Sequence, residues 1–279
     1  MKCATSQLRI LALLLLLSQE FGKAFCFDCH ETLQETDIRY MDWTNLEQCL
    51  LELGGRVVAQ NTSENIWRLV KIAFDGLENI PPDAYRKLGG TLTAIPDNEL
   101  RNISMERVEI VEAFGAVRKS AIKADFVTAT FNEQQMRIIA QKVRHEWLGK
   151  TPQTYSEYDL MSMGQIICYL NITDIAEIHP DAFKYAAEWI GNLQDCPQQS
   201  LQAFAELATR EDAFGHPSSW SKIDLSIIGN IINGLSQADI ESIDDSKLYL
   251  NRLYRKSNRT KAGNPKLRPA SSPTTNTDE

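Results

Sequence analysis

Residues 152–178 and 217–243 carry the same motif twice, in register and 65 positions apart. Without any gap, eleven of the 27 aligned positions are identical. The identical pairs are Pro152/Pro217, Ser156/Ser221, Asp159/Asp224, Leu160/Leu225, Gly164/Gly229, Ile166/Ile231, Ile167/Ile232, Leu170/Leu235, Asp174/Asp239, Ile175/Ile240 and Ile178/Ile243. A single unit of this length cannot bury its apolar face, so such units stack on their neighbours. The repeat therefore predicts an array of stacked units that works through its surfaces.

Each copy has the pattern of a helix, a tight turn and a second helix. Apolar residues recur at i, i+3, i+4 and i+7, which is the spacing of one helix face. They are Met163, Ile166, Ile167 and Leu170 in the first copy and Ile228, Ile231, Ile232 and Leu235 in the second. The Ser-x-x-Asp sequences at 156–159 and 221–224 predict capped helix starts, and a second start follows in each copy. Gly164 and Gly229 fall inside the predicted first helix, where glycine costs about 1 kcal/mol relative to alanine. Their presence in both copies indicates the close approach of a neighbouring helix.

Helical periodicity also recurs outside the two copies, and few stretches alternate as strands do. Further helices are predicted at 64–75, 104–121, 132–148, 181–194 and 198–209. The segment 80–85 echoes 178–183, which indicates a degenerate third unit. The predicted fold class is all-α.

Composition divides the chain into three regions. Residues 1–24 combine a basic start, eight consecutive apolar residues and a small residue at Ala24, which is the pattern of a cleaved signal peptide. Residues 25–250 form the predicted helical repeat domain and carry a formal net charge of −15, which repels nucleic acid and anionic lipid surfaces. Residues 251–279 are basic and rich in Ser, Thr and Pro, so we expect a disordered tail.

Four N-x-S/T sequons occur, at Asn61, Asn102, Asn171 and Asn258. A signal peptide would carry them through the secretory pathway, where this motif accepts N-glycans. Asn171 aligns with Ser236 in the predicted turn between helices, which should expose an attached sugar. No later segment is apolar enough to span a membrane, and the polar end of the chain predicts no glycolipid-anchor signal. The sequence therefore predicts a secreted glycoprotein.

Five cysteines follow the predicted signal peptide, and in an oxidising compartment most should pair, with one left over. We expect a disulfide between Cys168 and Cys196, which would tie the first repeat helix to the turn after the next helix pair. Closing a loop of roughly 30 residues is worth about 3–4 kcal/mol in the loop-entropy description. Cys49 would then pair with either Cys26 or Cys29.

One short motif predicts a different function. Cys26, Cys29 and His30 match C-x-x-C-H, the attachment signature of a c-type haem, and the two thiols could also form a redox pair. The motif begins at the second residue of the predicted mature chain, with no helix or strand before it. We therefore interpret these cysteines as structural, and keep a c-type haem or thiol-redox protein as the alternative function.

No other residue pattern predicts chemistry. Gly149-Lys150-Thr151 is only a fragment of a phosphate-binding loop, because Arg144 stands where the full pattern needs glycine. The four histidines lie in unrelated segments, without a catalytic triad or a set of metal ligands. The sequence predicts a protein that is not an enzyme and that binds neither a cofactor nor a metal.

The repeat motifs also follow each other in a particular order. They are Tyr-Ser-Glu-Tyr-Asp-Leu at 155–160, Cys168, Cys196, Trp-Ser-Lys-Ile-Asp-Leu at 220–225 and Gly-Leu-Ser-Gln-Ala-Asp at 234–239. Over about residues 150–245 this order resembles the extracellular superfamily of otoancorin, stereocilin and mesothelin. The resemblance implies an armadillo-like superhelix of stacked helix–turn–helix units, and it supports the pairing of Cys168 with Cys196.

The same resemblance implies a non-enzymatic glycoprotein at epithelial surfaces. Such a protein mediates adhesion between cells or to an acellular matrix. We therefore expect a secreted or cell-surface interaction protein that uses a face of its superhelix. Its partner would be an extracellular protein or glycan on an epithelial surface or matrix, and not nucleic acid.

Overall fold

The computed structural model describes residues 41–53, 60–117 and 130–244, which form α-helices and short 3₁₀ helices and, within those ranges, no strand. The α-helices there are α1 (Trp43–Leu53), α2 (Gln60–Ala73), α3 (Pro82–Leu88), α4 (Asp97–Leu100), α5 (Val108–Gly115), α6 (Glu133–Glu146), α7 (Glu157–Ser162), α8 (Ile172–Ala176), α9 (Pro180–Gly191), α10 (Gln198–Ala208), α11 (Lys222–Ile228) and α12 (Gln237–Ser242). The predicted all-α class is confirmed. The predicted signal peptide at 1–24 and the tail at 251–279 lie outside the described residues.

The described residues divide into two compact units, the first formed by 41–53, 60–103 and 130–131 and the second by 104–117 and 132–244. The first unit contains α1 to α4, and the second contains α5 to α12. None of these helices combines the length and the apolar character needed to cross a membrane. Each unit has its own buried core, which includes Trp67 and Tyr85 in the first and Phe183 and Phe204 in the second.

The same local structure occurs three times along the described chain. In each copy a short α-helix leads into a six-residue 3₁₀ helix, which leads into a second short α-helix; the copies are α3 to α4, α7 to α8 and α11 to α12. Each 3₁₀ helix begins at a glycine with positive φ: Gly89 at 50°, Gly164 at 56° and Gly229 at 51°. The structure therefore contains a third copy at 82–100, in the region where the sequence indicated a degenerate unit.

Its predicted alignment is wrong. The sequence matched 80–85 with 178–183, but the structure matches Gly89 with Gly164. The two segments share only a helix start with an early proline, at Pro82 in α3 and Pro180 in α9. Proline is common in the first turn of many helices, so this likeness does not fix a repeat position.

A continuous first helix in each copy was also a wrong prediction. Helix α7 ends at Ser162, and Gly164 begins a 3₁₀ helix that runs to Tyr169. A residue in the left-handed region ends an α-helix, and glycine adopts that conformation without steric cost. A 3₁₀ helix also repeats at about three residues, so Ile166 and Ile167 remain buried although the α-helix has ended.

The close approach predicted at the two repeat glycines is confirmed. A Cβ atom built on Gly164 would lie 2.0 Å from the carbonyl oxygen of Gly115, at the end of α5. One built on Gly229 would lie 2.5 Å from the carbonyl oxygen of Gly191, at the end of α9. No side chain fits between these backbones. The last residue of one helix therefore packs directly on the glycine that opens a 3₁₀ helix.

The predicted capping boxes are confirmed in both copies. Ser156 Oγ accepts a hydrogen bond from Asp159 N at 3.3 Å, and Asp159 Oδ2 accepts one from Ser156 N at 2.8 Å. Ser221 and Asp224 form the same pair of bonds at 3.2 and 2.7 Å. These bonds satisfy backbone donors at the helix start, where no turn precedes them.

Most of the other predicted helices are also confirmed. The starts of α6, α9 and α10 lie within one residue of the predicted starts, and their ends lie one to three residues before the predicted ends. Helix α2 begins four residues before its predicted start. Helix α5 is shorter than the predicted 104–121, and its last predicted residues, 118–121, lie outside the described part of the chain.

The second unit has two layers. Helix α9 lies between α7 and α11, and α5 packs against α7; these four helices form the first layer. In the second layer, α6 packs on the 3₁₀ helix 164–169, and α10 packs on α8 and on the 3₁₀ helix 229–234. The rings of Phe183 and Phe204 stack between the layers, with centroids 6.2 Å apart.

Candidate interaction surface

Three neighbouring helices of the second unit each expose one large apolar side chain. Tyr158 on α7, Tyr185 on α9 and Ile223 on α11 are 69%, 77% and 72% exposed. Because α9 packs against both α7 and α11, these three exposed side chains lie on neighbouring helices. Single exposed apolar residues are ordinary, but a group on adjacent helices marks an interaction site.

Half-buried apolar side chains widen this patch. Met161 follows Tyr158 at i+3, Trp189 follows Tyr185 at i+4, and Ile227 follows Ile223 at i+4. Residues at these spacings lie on one face of a helix. We call the six residues the apolar face; they are Tyr158, Met161, Tyr185, Trp189, Ile223 and Ile227.

The repeat geometry explains why Tyr158 and Ile223 are exposed. Both are the second residue of their helix, directly after the capping serine and the first helical residue. The next residues along each helix include Leu160 and Leu225, which are buried in the core. Since both copies use the same caps and the same buried leucine, the second helical position points to solvent in both.

Charged residues surround the aromatic side chain of α9. Asp181, Lys184 and Glu188 are exposed on the same helix as Tyr185. The Nζ atom of Lys184 lies 5.9 Å from the centroid of the Phe214 ring, which anchors that lysine beside the apolar face. An apolar centre with a charged rim is the usual composition of a protein–protein interface.

An ion pair and two hydrogen bonds fix the start of α7. Lys150 Nζ donates to Asp159 Oδ2 at 2.7 Å, and Ser156 donates to the same carboxylate. Burial opposes ionisation of Asp159, but these hydrogen bonds outweigh burial and hold its pKa below the ordinary value. The start of α7, and with it Tyr158, is therefore held by a charged carboxylate.

A second ion pair joins α6 to α8 and has a counterpart in the first unit. Arg144 Nε on α6 donates to Asp174 Oδ1 on α8 at 2.9 Å, and this bond, despite partial burial, raises the pKa of the arginine. In the first unit, Lys71 on α2 bonds in the same way to Glu99 at 2.6 Å. In the third copy Asp239 instead bonds to Ser236, which caps α12. Each of these two ion pairs therefore joins two helices of the same unit.

The structure brings together one of the predicted cysteine pairs. Cys168 and Cys196 form a disulfide, with Cα atoms 5.1 Å apart. Cys49 is also disulfide-bonded, and its partner lies outside the described residues. Cys26, Cys29 and His30 lie outside them too, so the haem or redox alternative stays a prediction. Within the described ranges, no cluster of three His, Cys, Asp or Glu side chains could hold a metal ion.

The asparagines of three predicted sequons lie on the surface and far apart in the chain. Asn61 is in the first turn of α2, Asn102 follows α4, and Asn171 precedes α8; all three are exposed. Asn258 lies outside the described residues. An exposed asparagine can carry a glycan without disturbing the core.

Sequence reasoning did not identify the apolar face. The signal was available, since Tyr158 and Ile223 are both large and apolar at aligned positions of the two copies. A comparison of identical positions leaves them out, and they lie outside the i, i+3, i+4 stripe that marks the core. Tyr185 lies between the copies, so the repeat gives no indication of it.

The fold and this surface define a class: an all-α repeat protein whose distinctive feature, among the described residues, is an exposed apolar face. Comparison with known proteins gives a more particular relationship. The chain is 31% identical to human otoancorin over 96 residues, which are 34% of this chain and 8% of that protein. It is 23% identical to mouse otoancorin over 157 residues, 56% of this chain and 12% of that protein. The resemblance to otoancorin is confirmed over part of the chain, and no protein-family model matches.

Proposed function

We propose that this chain is a secreted, N-glycosylated, non-enzymatic interaction protein that binds a protein on an epithelial surface or in its matrix. The single observation that carries the proposal is the apolar face on three adjacent helices of the second unit. The partial similarity to otoancorin, together with the adhesion role that its superfamily implies, supports an extracellular setting. The chain spans only about a tenth of the length of these relatives.

The composition of the apolar face favours a protein partner. Tyrosine and tryptophan are among the residues that most often dominate binding energy, and Tyr158, Tyr185 and Trp189 lie on two neighbouring helices here. Residues 25–250 carry a net charge of −15, so a partner with a basic rim around an apolar pocket would be complementary. Binding would then combine apolar anchors with electrostatic steering that weakens as salt is added.

The test is binding of the secreted full chain to epithelial cell layers and to decellularised epithelial matrix. Replacing Tyr158, Tyr185 and Ile223 one at a time with serine should weaken binding at least about tenfold for one or more variants. The matched control is Ile72→Ser, because Ile72 is 75% exposed, close to the 72% of Ile223, but lies on α2 in the first unit. Secretion and thermal unfolding should be unchanged in all four variants.

Three results would contradict parts of the proposal. Wild-type protein that is folded but binds neither cells nor matrix would remove the adhesion function. If Ile72→Ser weakens binding as much as the three variants of the apolar face do, the apolar face is not the binding site. Binding lost after enzymatic removal of glycans from the matrix, with its proteins intact, would identify a glycan ligand in place of a protein.

A further inference from the structure

A cleft of about 250 Å³ opens beside Asn171 in the second unit. Its walls come from the end of the 3₁₀ helix 164–169, the start of α8, the start of α10 and one arginine of α6. The side chains relevant here are Arg137, Tyr169, Ile172, Thr173, Pro197 and Gln199. Clefts that bind drug-sized ligands measure about 300–1,000 Å³, so this one suits a ligand no larger than a single sugar ring.

The three structural copies differ at this cleft. The second copy carries an aromatic residue two positions before a sequon asparagine and threonine two positions after it. The equivalent residues are Tyr169, Asn171 and Thr173 in the second copy, Ala94, Pro96 and Asn98 in the first, and Gly234, Ser236 and Ala238 in the third. The backbone repeats in all three copies, so the combination of a ring and a sequon belongs to this copy alone among those the structure describes.

We propose that the first N-acetylglucosamine of a glycan on Asn171 packs into this cleft, against the ring of Tyr169. The inference rests on the proposed N-glycosylation and adds a binding site for the attached sugar. Attachment forms a bond from Asn171 Nδ2 to the anomeric carbon of the sugar. It breaks the bond from that carbon to the diphosphate of a polyprenyl-diphosphate oligosaccharide, and the amide loses one proton.

The geometry of Asn171 is compatible with both attachment and packing. Its side chain is exposed, and Nδ2 donates a hydrogen bond to Asp174 Oδ2 at 3.3 Å. The amide has two hydrogens, so the one that remains after attachment can keep this bond and hold the linkage in one orientation. A sugar that starts from a fixed linkage loses less conformational freedom on packing.

The walls of the cleft offer both kinds of contact that a sugar makes. Tyr169 is half-buried, and the rings of tyrosines combine a large apolar surface with a polar end. Exposed Ile172 extends this apolar wall on the other side of Asn171. Arg137, which pairs with Glu133 at 2.7 Å, and Gln199 supply hydrogen-bond donors for sugar hydroxyl and acetamido groups.

A packed sugar stabilises the folded chain, because the contacts with Tyr169 exist only in the folded state. The experiment is a double-mutant cycle on the full chain secreted from eukaryotic cells, with glycan occupancy at each asparagine measured by peptide mass. Asn171→Gln should lower the midpoint of thermal unfolding by about 2–4 °C. The same substitution in a Tyr169→Ala background should change the midpoint by less than about 1 °C, since the ring that the sugar contacts is gone.

Alanine at 169 should fold, because Ala94 and Gly234 stand at this position in the other copies. Thr173→Val is a second way to remove the sugar, and it leaves the Asn171–Asp174 hydrogen bond in place. Asn102→Gln is the matched control: Asn102 is also exposed, but the residue two positions before it is Leu100, which is fully buried. Loss of that glycan should leave the midpoint unchanged.

The outcomes separate this inference from the proposed function. Asn171 can be occupied while Asn171→Gln lowers the unfolding midpoint equally in the wild-type and Tyr169→Ala backgrounds, or does not lower it at all. Either result overturns the packing of the sugar and leaves the proposed glycosylation intact. Unoccupied Asn171 with occupied Asn61 or Asn102 overturns the packing alone. If no asparagine is occupied, the packing and the glycoprotein part of the proposed function both fail, while the binding test on the apolar face still decides adhesion.

Discussion

Tyr155 has a buried side-chain hydroxyl that makes no hydrogen bond within the part of the chain that the structure describes. The residue is 2% exposed, packs beside the ring of Trp147, and its hydroxyl has no hydrogen-bond partner among the described residues. Burial raises the pKa of this hydroxyl to about 12, so it is neutral at physiological pH. At the equivalent position of the next copy, Trp220 Nε1 donates to the carbonyl oxygens of Phe214 and Gly215.

We therefore expect Tyr155→Phe to leave the free energy of unfolding unchanged or to raise it by up to about 1 kcal/mol, because a buried unsatisfied hydroxyl is removed. Trp220→Phe is the contrasting control and should lower it by about 2 kcal/mol or more, since two half-buried carbonyls lose this donor and the smaller ring fills less of the core. Urea unfolding at pH 7 measures both. A loss above about 1 kcal/mol for Tyr155→Phe would mean that the hydroxyl has a partner, such as a buried water.

At the scale of elements, the contact between Gly115 and Gly164 requires glycine for two reasons, the backbone conformation and the close approach. Gly164 has φ 56°, and a Cβ atom on it would lie 2.0 Å from the backbone of Gly115. Gly149 has φ 69°, but a Cβ atom there would meet no atom within 4 Å. The two residues therefore share the backbone strain of an alanine substitution and differ in the steric clash.

Gly149→Ala should lower the free energy of unfolding by about 1–2 kcal/mol, the cost of a left-handed residue that carries a Cβ. Gly164→Ala should cost more than about 4 kcal/mol, because α5 and the 3₁₀ helix 164–169 must also separate. Urea unfolding, or secretion yield where the variant does not fold, compares the two. Similar losses for both variants would show that the close approach of Gly115 and Gly164 does not contribute to stability.

Local sequence signals predicted the local structure of this protein well. Ser156 and Ser221 cap their helices as expected, because a capping box depends on residues only three positions apart. The break at Gly164 was missed because the buried stripe fits a continuous α-helix as well as an α-helix followed by a 3₁₀ helix. Choosing between them needs the position of Gly115, which is 49 residues away in the chain and has no local signal.

The apolar face was missed for a related reason. Periodicity identifies side chains that point into a core, and Tyr185 and Ile223 point out of one. Whether exposed side chains on different helices share a surface depends on which helices are neighbours. That order is set by the packing of α9 between α7 and α11, which no local pattern encodes.

At the scale of the whole molecule, repetition and function are separate properties. The three copies share a backbone pattern that builds stacked helices, and this pattern fixes which positions are exposed. Individual copies then place different residues at those positions. The second copy has a sequon beside an aromatic ring. The second and third copies both have an exposed apolar residue, Tyr158 and Ile223, as the second residue of their first helix. The chemistry of the surface therefore varies while the backbone repeats, as is typical of repeat proteins.

The last prediction concerns the mature protein as a whole and separates the proposed function from its alternative. Full-length protein secreted from eukaryotic cells should lose mass when N-glycans are removed enzymatically, because Asn61, Asn102 and Asn171 are exposed sequon residues. Intact mass before and after the treatment measures this loss, and a Gln variant at each asparagine assigns it. The control is the variant with Gln at Asn61, Asn102, Asn171 and Asn258, whose mass should not change on treatment.

The same mass spectrum tests Cys26, Cys29 and His30. Structural disulfides remove two hydrogens for each pair of cysteines, whereas a c-type haem adds the mass of a porphyrin through two thioether bonds and gives the protein a Soret absorption band. A product without N-glycans that carries a haem adduct would contradict the secreted glycoprotein. It would instead make the segment around His30 the functional centre, with the helical units as its support.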